Sequence, residues 1–341
     1  MSAPSLLSVR DLTVSFDTPD GVVHAVNGLS FEMTPGQTLG IVGESGSGKS
    51  VTASSLLRLN NSVTSTTSGV VELDGRDLLT VSESDMRKIR GSDIAMVFQD
   101  PMSALNPYYT VGDQIAEAYL VHHPTEKKES VRSRVLAMLE KVGIPNPSQR
   151  IDEYPHQFSG GMRQRIVIAI ALINSPRILI ADEPTTALDV TVQAQILDLM
   201  LELQKETNMA IILITHDLGV VAEVADSTLV MYGGRIVEQA SVTEIFSTPT
   251  HPYSWGLLGA VGSLDSSTRG HLKTIPGAPP SLISIPSGCS FHPRCAYANS
   301  VGQRCVSEVP ALHRVTGSTS LSACHMVDDQ IVKIGSRGRI S

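Results

Sequence analysis

Gly43-Glu44-Ser45-Gly46-Ser47-Gly48-Lys49-Ser50 lies between an apolar run, Thr38 to Val42, and a stretch of small and apolar residues reaching Leu59. Its spacing is G-x-x-x-x-G-K-[ST]. Glycines let backbone N–H groups close around phosphate oxygens without side-chain obstruction. A lysine at this place puts positive charge on the β- and γ-phosphates, and the following hydroxyl suits Mg²⁺. The preceding run predicts a β-strand, and Ser50 to Leu59 predicts a helix whose N-terminal end faces the anion. The stretch therefore predicts an α/β fold in which Gly43, Ser45, Gly46, Ser47, Gly48, Lys49, Ser50 and Val51 cradle a nucleoside triphosphate, with Ser50 on the metal. The competing reading, a chance Gly/Ser loop between strand and helix, is disfavoured by motifs further along the chain.

Composition narrows the class. The chain has 341 residues, 41% apolar and 18% charged, which suits a globular protein with more than one domain. A net charge of −8 offers no electrostatic footprint for nucleic acid. Residues 1–10 show no basic region followed by an apolar block, so no signal peptide is expected. The longest apolar run, Ile166 to Ile173, is far shorter than the roughly 20 residues that span a bilayer. Work at a membrane would be peripheral.

Between residues 6 and 42 short apolar runs alternate with turn signals and predict strands, among them 7–9, 12–16 and 29–33. Further strands are expected at 69–73 and 94–98. From about 108 to 155 the pattern turns helical, with helices at 111–121 and 129–142. The α/β alternation then resumes: helix 159–173, strand 177–181, helix 190–207, strand 210–215, and a hairpin turn at Tyr232-Gly233-Gly234-Arg235. Beyond about 248 the chain is rich in Pro, Ser and Gly, and Pro276, Pro279, Pro280 and Pro286 argue against regular helices there.

Three further elements carry chemistry. Ile178 to Ala181 is an apolar strand ending in Asp182-Glu183. A carboxylate at a strand end holds Mg²⁺, and the next can polarise an attacking water. An acidic N-terminus on the following helix is the bland alternative. His216 and Gln99 each end a strand; taken alone, His216 reads as a turn residue and Gln99 as a solvated one. Ser159-Gly160-Gly161 opens a helix and presents a dipole end suited to phosphate, yet lies over 100 residues from Lys49.

Together these pieces resemble the ATP-binding cassette family over about residues 6–250. Gly43 to Ser50 matches its phosphate loop, Gln99 its glutamine loop, and Ser159-Gly160-Gly161 its signature loop. Asp182-Glu183 match the second acidic motif, Ala187-Leu188-Asp189 the D-loop and His216 the switch histidine. The resemblance implies an ATPase with an α/β core, an antiparallel β portion and a helical insert at about 100–155. It implies Phe16 stacking on adenine, although a core Phe on a strand is the alternative. It implies Mg²⁺ held by Ser50, Gln99 and Asp182, with Glu183, His216, Gln99 and Lys49 catalytic. Asp189 joins the nucleotide-binding set. Met162 departs from the family's common Gln, at little expected cost, because Ser159 and the backbone would make the phosphate contacts. Two copies form a head-to-tail dimer in which each phosphate loop faces the partner's signature loop, which accounts for the separation of the two loops.

A narrower resemblance, to the oligopeptide/dipeptide importers, rests on Gln99 to Pro107, Tyr154 to Phe158, His251-Pro252-Tyr253, Pro276 to Leu282 and Gly288 to Cys295. It implies a second related ATPase subunit, two transmembrane permeases, an extracytoplasmic binding protein, and a place on the cytoplasmic face of the cell membrane. Nickel, glutathione and sugar importers belong to the same group. A cassette ATPase outside transport is the rival, disfavoured by the single cassette and the short insert. The expected division is 6–250 for the ATPase, 251–330 for a small irregular cysteine-bearing domain, and 331–341 for a tail.

All four cysteines, Cys289, Cys295, Cys305 and Cys324, fall in that second part. Their spacing fits neither a tight zinc pair nor the common iron–sulfur runs, so residues alone leave zinc, iron–sulfur and free thiols open. Disulfides do not suit a cytosolic ATPase. The importer resemblance implies a [4Fe–4S] cluster on the four.

Overall fold

The computed structural model describes residues 5–100, 104–186, 188–262 and 275–335. Pro101-Met102-Ser103 of the motif after Gln99, Ala187 of the D-loop motif and the end of the 331–341 tail fall outside them. In chain order the strands are β1 (Leu7–Thr18), β2 (Gly21–Met33), β3 (Thr38–Val42), β4 (Ser65–Leu73), β5 (Arg76–Asp77), β6 (Ile94–Val97), β7 (Ile178–Asp182), β8 (Ala210–Thr215), β9 (Ser227–Tyr232), β10 (Arg235–Ser241), β11 (His313–Arg314) and β12 (Leu321–Ser322). The chain forms two compact units, one from residues 33–37 and 80–214, the other from 6–32, 38–79 and 215 onward.

In the first unit β6, β7 and β8 are parallel and adjacent, with Ile94 opposite Ile178 and Ile178 opposite Ala210. Every residue of β7 and β8 is buried, as strands covered on both faces require. Helix Gly160–Leu172 packs on β6 and against helices Val111–Leu120 and Lys128–Lys141. Val131, Val135 and Leu139 recur every four residues and make the buried stripe of the 128–141 helix. The expected helices at 111–121, 129–142, 159–173 and 190–207 form within a residue or two of their predicted bounds. A further helix, Glu83–Ile89, is capped by Ser82.

In the second unit an antiparallel sheet runs β2-β1-β4-β5. The runs at 7–9 and 12–16 are one strand, not two. A register shift between Arg10 and Thr13, with Asp11 at φ 51°, makes a bulge, and the Asp11 amide donates to Ser30 Oγ at 2.8 Å. Elsewhere in this unit β3 pairs parallel with β9, and β9 turns into β10 at Gly233-Gly234.

The stretch carrying Pro276, Pro279, Pro280 and Pro286 forms no helix, as expected, but regular elements flank it. Pro252 begins an α-helix to Gly262, because a first-turn proline gives up an N–H that has no helical partner anyway. Strand β12 pairs with β10, Ser322 opposite Glu238, and β11 pairs with β12. Two carboxylates fasten this extension. Buried Glu238 accepts from the Thr250 amide at 2.6 Å, the Thr250 hydroxyl at 2.9 Å and the His251 amide at 2.9 Å. Burial works to raise the Glu244 pKa, but hydroxyls of Thr319, Ser241 and Ser318 and the Thr319 amide outweigh it and bring it to about 2. Among the described residues no helix is long and apolar enough to cross a membrane.

Candidate functional site

In the second unit buried β3 delivers the chain into the loop at 43–48, and helix Lys49–Leu56 leaves it. Two glycines are sterically required. A Cβ at Gly43 would run into the Met231 carbonyl oxygen, and one at Gly48, where φ is 102°, would run into the Ala25 carbonyl oxygen. No side chain caps the 49–56 helix at Gly48, and a helix N-terminus of this kind suits an anion. Lys49 is only 6% exposed, and its ammonium donates to the carbonyls of Gly43 at 2.7 Å and Glu44 at 3.0 Å. Its charge is thus held inside the loop. Ser47 Oγ is buried with no hydrogen-bond partner among the described residues. A buried hydroxyl in that state can take a partner from outside the chain. Ser45, Gly46 and Ser50 are exposed at the mouth, and Val51 is half-buried behind them. A phosphate group fits this donor set.

Phe16 stands half-buried on β1, opposite Ser65. His216 is exposed directly after β8. The next residue, Asp217, caps helix Leu218–Val224 by accepting from the Gly219 amide at 2.7 Å.

In the first unit β7 ends at buried Asp182, and the chain turns at Glu183, whose φ of 47° is left-handed. A non-glycine residue held there carries strain of about 1–3 kcal/mol, a cost found mainly where surrounding contacts over-determine the backbone. The Glu183 amide donates to Ile214 O at 2.8 Å. Its carboxylate Oε2 accepts from Gln99 Nε2 at 3.2 Å and from Thr186 Oγ1 at 2.9 Å. Glu183 and Gln99 are therefore brought together, 84 residues apart in the chain. Gln99, read above as a magnesium ligand, here directs its amide at the carboxylate.

Ser159 caps helix 160–172, accepting weakly from the Met162 amide at 3.4 Å. Ser159 and Gly160 are exposed, and a Cβ at Gly160 would meet open space. Gly161 lies close under Val192 Cγ1, where a Cβ would sit 2.7 Å away. Asp189 caps the 190–207 helix through the Val192 amide at 3.0 Å. Buried Gln164 donates to Pro184 O at 2.5 Å, so the helix behind the signature loop is tied to the residue after Glu183.

Sequence reasoning missed Thr186, Gln164 and Glu44. Nothing in their local sequence separates them from ordinary polar residues; the packed fold sets Thr186 against Glu183, Gln164 against Pro184 and Glu44 against Arg294.

The four cysteines are free thiols. Burial pushes Cys289 up to about 11 and Cys324 up to about 12, and charge on neighbouring thiols adds to both. Cys295 and Cys305 are raised too, by burial first. The Cys289 amide donates to Cys305 O at 2.9 Å. The thiols thus lie within one another's electrostatic reach, but the expected cluster ligand set is not assembled: among the described residues no three His, Cys, Asp or Glu side chains converge in a metal-holding group. The donors suit an iron–sulfur cluster in type and number and not in placement.

Residues 26–186 match the ABC transporter family, and residues 237–301 match the oligopeptide/dipeptide transporter C-terminal region. The chain is 56% identical to the dipeptide transport ATP-binding protein DppD of Bacillus subtilis, over 85% of this chain and 86% of that protein. It is 50% identical to the oligopeptide transport ATP-binding protein OppD of Escherichia coli, over 94% and 93%. Among solved structures it is similar to the dimeric ATP-binding cassette MJ0796 in a post-hydrolysis state bound to ADP and Pi, with a TM-score of 0.62 and 26% identity over 69% of this chain and 98% of that one. It is also similar to cbiO1 from Clostridium perfringens, part of the cbiONQ transporter complex, with a TM-score of 0.60 and 29% identity over 71% and 90%.

Proposed function

The chain belongs to the ABC transporter ATPases, in their oligopeptide/dipeptide group, and from that premise we propose that it binds and hydrolyses ATP to drive uptake of di- and oligopeptides. The observation that carries the ATP part is the loop at 43–48, with Lys49 held inside it and Ser47 Oγ buried without a hydrogen-bond partner among the described residues. Peptide rests on the similarity to the dipeptide and oligopeptide transport proteins, which extends through the C-terminal region.

Each residue then has a role. Amides of the 43–50 loop and Lys49 hold the β- and γ-phosphates, and Phe16 meets the adenine. Ser50, Gln99 and Asp182 are the residues that would hold Mg²⁺, which supplies charge neutralisation on the transferred phosphoryl group. Glu183 accepts a proton from the attacking water, Gln99 and Thr186 orient its carboxylate, and His216 contacts the γ-phosphate. Ser159, Gly160 and Gly161, exposed at a helix N-terminus, close the nucleotide held by a partner ATPase, while Asp189 sits at that same junction. The working unit is a heterodimer with a second ATPase beneath two permeases on the cytoplasmic face of the membrane, supplied by an external binding protein. Residues 6–250 form the cassette and 251–330 its C-terminal extension.

The test is reconstitution. The isolated chain is expected to bind ATP and hydrolyse it slowly. With the partner ATPase and permeases in vesicles, hydrolysis should rise when binding protein loaded with a dipeptide or oligopeptide is added. Stimulation by nickel, glutathione or a sugar in place of peptide would replace the substrate, and hydrolysis indifferent to the permeases would remove the transport role.

We also propose a [4Fe–4S] cluster on Cys289, Cys295, Cys305 and Cys324, whose ligating arrangement forms with the metal. Its support is that every cysteine of the chain falls in the C-terminal region and that Cys324 feels the charge of the other three thiols. Anaerobically purified protein is expected to be brown and to carry about four irons per chain. Colourless, iron-free protein with the same thermal stability would end the idea.

A further inference from the structure

We propose that Arg294, from the cysteine-bearing extension, is a positioning residue of the nucleotide site: through Glu44 it locks the phosphate loop in its ligand-ready shape. The proposal rests on reading residues 43–50 as the ATP loop.

Glu44 is the second residue of that loop, and each of its polar groups is engaged. Its amide donates to Tyr253 OH at 2.9 Å. Its carbonyl accepts from Lys49 Nζ at 3.0 Å. Its carboxylate takes both terminal nitrogens of Arg294, Nη1 to Oε2 at 2.6 Å and Nη2 to Oε1 at 3.0 Å. That is the two-pronged geometry only a guanidinium provides.

Arg294 is itself held from every side. Its Nε donates to Pro276 O at 2.8 Å, Nη1 to Tyr232 OH at 3.3 Å and Nη2 to Ile275 O at 3.4 Å. The guanidinium carbon lies 5.8 Å from the centre of the Tyr232 ring. The side chain is 6% exposed, against 26% for Glu44. Tyr232, Tyr253 and Phe291 pack on one another with ring centres 4.7 to 5.3 Å apart and exclude water beside the pair. A charge pair shielded in this way resists screening.

A buried ion pair that merely stabilised the extension would have no reason to end on the phosphate loop. This one ends on the residue whose carbonyl also anchors Lys49. Glycines at 43, 46 and 48 give the loop backbone more conformations to lose on binding than other residues would, and that loss lowers affinity. Fixing Glu44 beforehand removes part of that cost, which is pre-organisation. Arg294 lies in the segment between Cys289 and Cys295, where the His292 amide donates to Cys289 O at 2.9 Å. The folding of the cysteine segment is therefore read out at the phosphates.

The experiment uses the full chain with its partner ATPase. Arg294→Ala should raise the KM for ATP about tenfold with kcat within about twofold, the pattern of lost binding rather than lost chemistry. Arg294→Lys should fall between, keeping charge and losing the fork. Glu44→Gln should raise KM as well, and combining Glu44→Ala with Arg294→Ala should cost little more than either alone, since both remove one interaction. Amide hydrogen exchange over residues 43–50 without nucleotide should speed up in Arg294→Ala. An unchanged KM and unchanged loop exchange, even with a lowered melting temperature, would overturn the proposal. If Arg294→Ala does not fold, Glu44→Gln carries the same two readouts. A parent chain that fails to bind ATP would overturn the functional reading instead, and the nucleotide-free exchange would still decide the clamp.

Discussion

Glu183→Gln is expected to leave ATP affinity within about twofold of the parent and to lower steady-state hydrolysis by about 10²-fold or more, the scale of losing a general base. Gln keeps the shape of Glu. Its amide oxygen can still accept from Gln99 Nε2 and Thr186 Oγ1, which now reach Glu183 Oε2 at 3.2 and 2.9 Å. The left-handed backbone at φ 47° and the bond from the Glu183 amide to Ile214 O do not depend on the side-chain charge. Fold and orientation therefore survive while the proton acceptor is lost. The measurement is phosphate release by the dimer with its partner ATPase, beside an equilibrium ATP titration of the same preparation. Hydrolysis near the parental rate would take the base role from Glu183. A parallel collapse in affinity would mean the carboxylate serves binding rather than chemistry.

Lys49→Ala should weaken ATP binding by about 10²-fold, and kcat/KM by about 10³-fold, with the chain still folded. A hydrogen bond to a charged group is worth about 1.5–3 kcal/mol, and Lys49 is assigned contacts to two phosphates. Two losses add up. The ammonium no longer meets the ligand, and the carbonyls of Gly43 and Glu44 lose the donor that holds them at 2.7 and 3.0 Å. Lys49→Arg should not restore binding, because a planar fork does not fit a pocket closed around one ammonium. A fluorescent ATP analogue titrated against both variants gives the comparison. Binding by Lys49→Ala at the parental level would remove Lys49 from the phosphate contacts.

Legibility of the fold varied by region for identifiable reasons. Helices 160–172 and 190–207 and strands β7 and β8 are readable because unbroken apolar runs and cap residues mark them locally: Ser159 and Asp189 each accept from an amide three residues on. The bulge in β1 was not readable, since Asp11 in a left-handed turn and a turn between two strands look alike in sequence. Beyond 248 the prolines at 276, 279, 280 and 286 do lie outside any helix, while regular elements form on either side of them. Pro252 starts a helix there, and Leu321–Ser322 becomes a strand only because β10 offers it an edge. Two residues carry no strand signal by themselves.

By itself, then, the sequence determined the chemistry on offer: which loop can wrap a phosphate, which strand ends in two carboxylates, and which part of the chain holds the thiols. Those are local facts, set by residue type and spacing. Only the tertiary structure decided which distant groups act on that chemistry. Gln99 meets Glu183 across 84 residues, and Arg294 meets Glu44 across 250. No period or motif encodes such separations. They follow from packing, where burying one apolar face fixes the address of every polar side chain beside it, and from the rule that a buried charge must find a partner wherever the fold puts one.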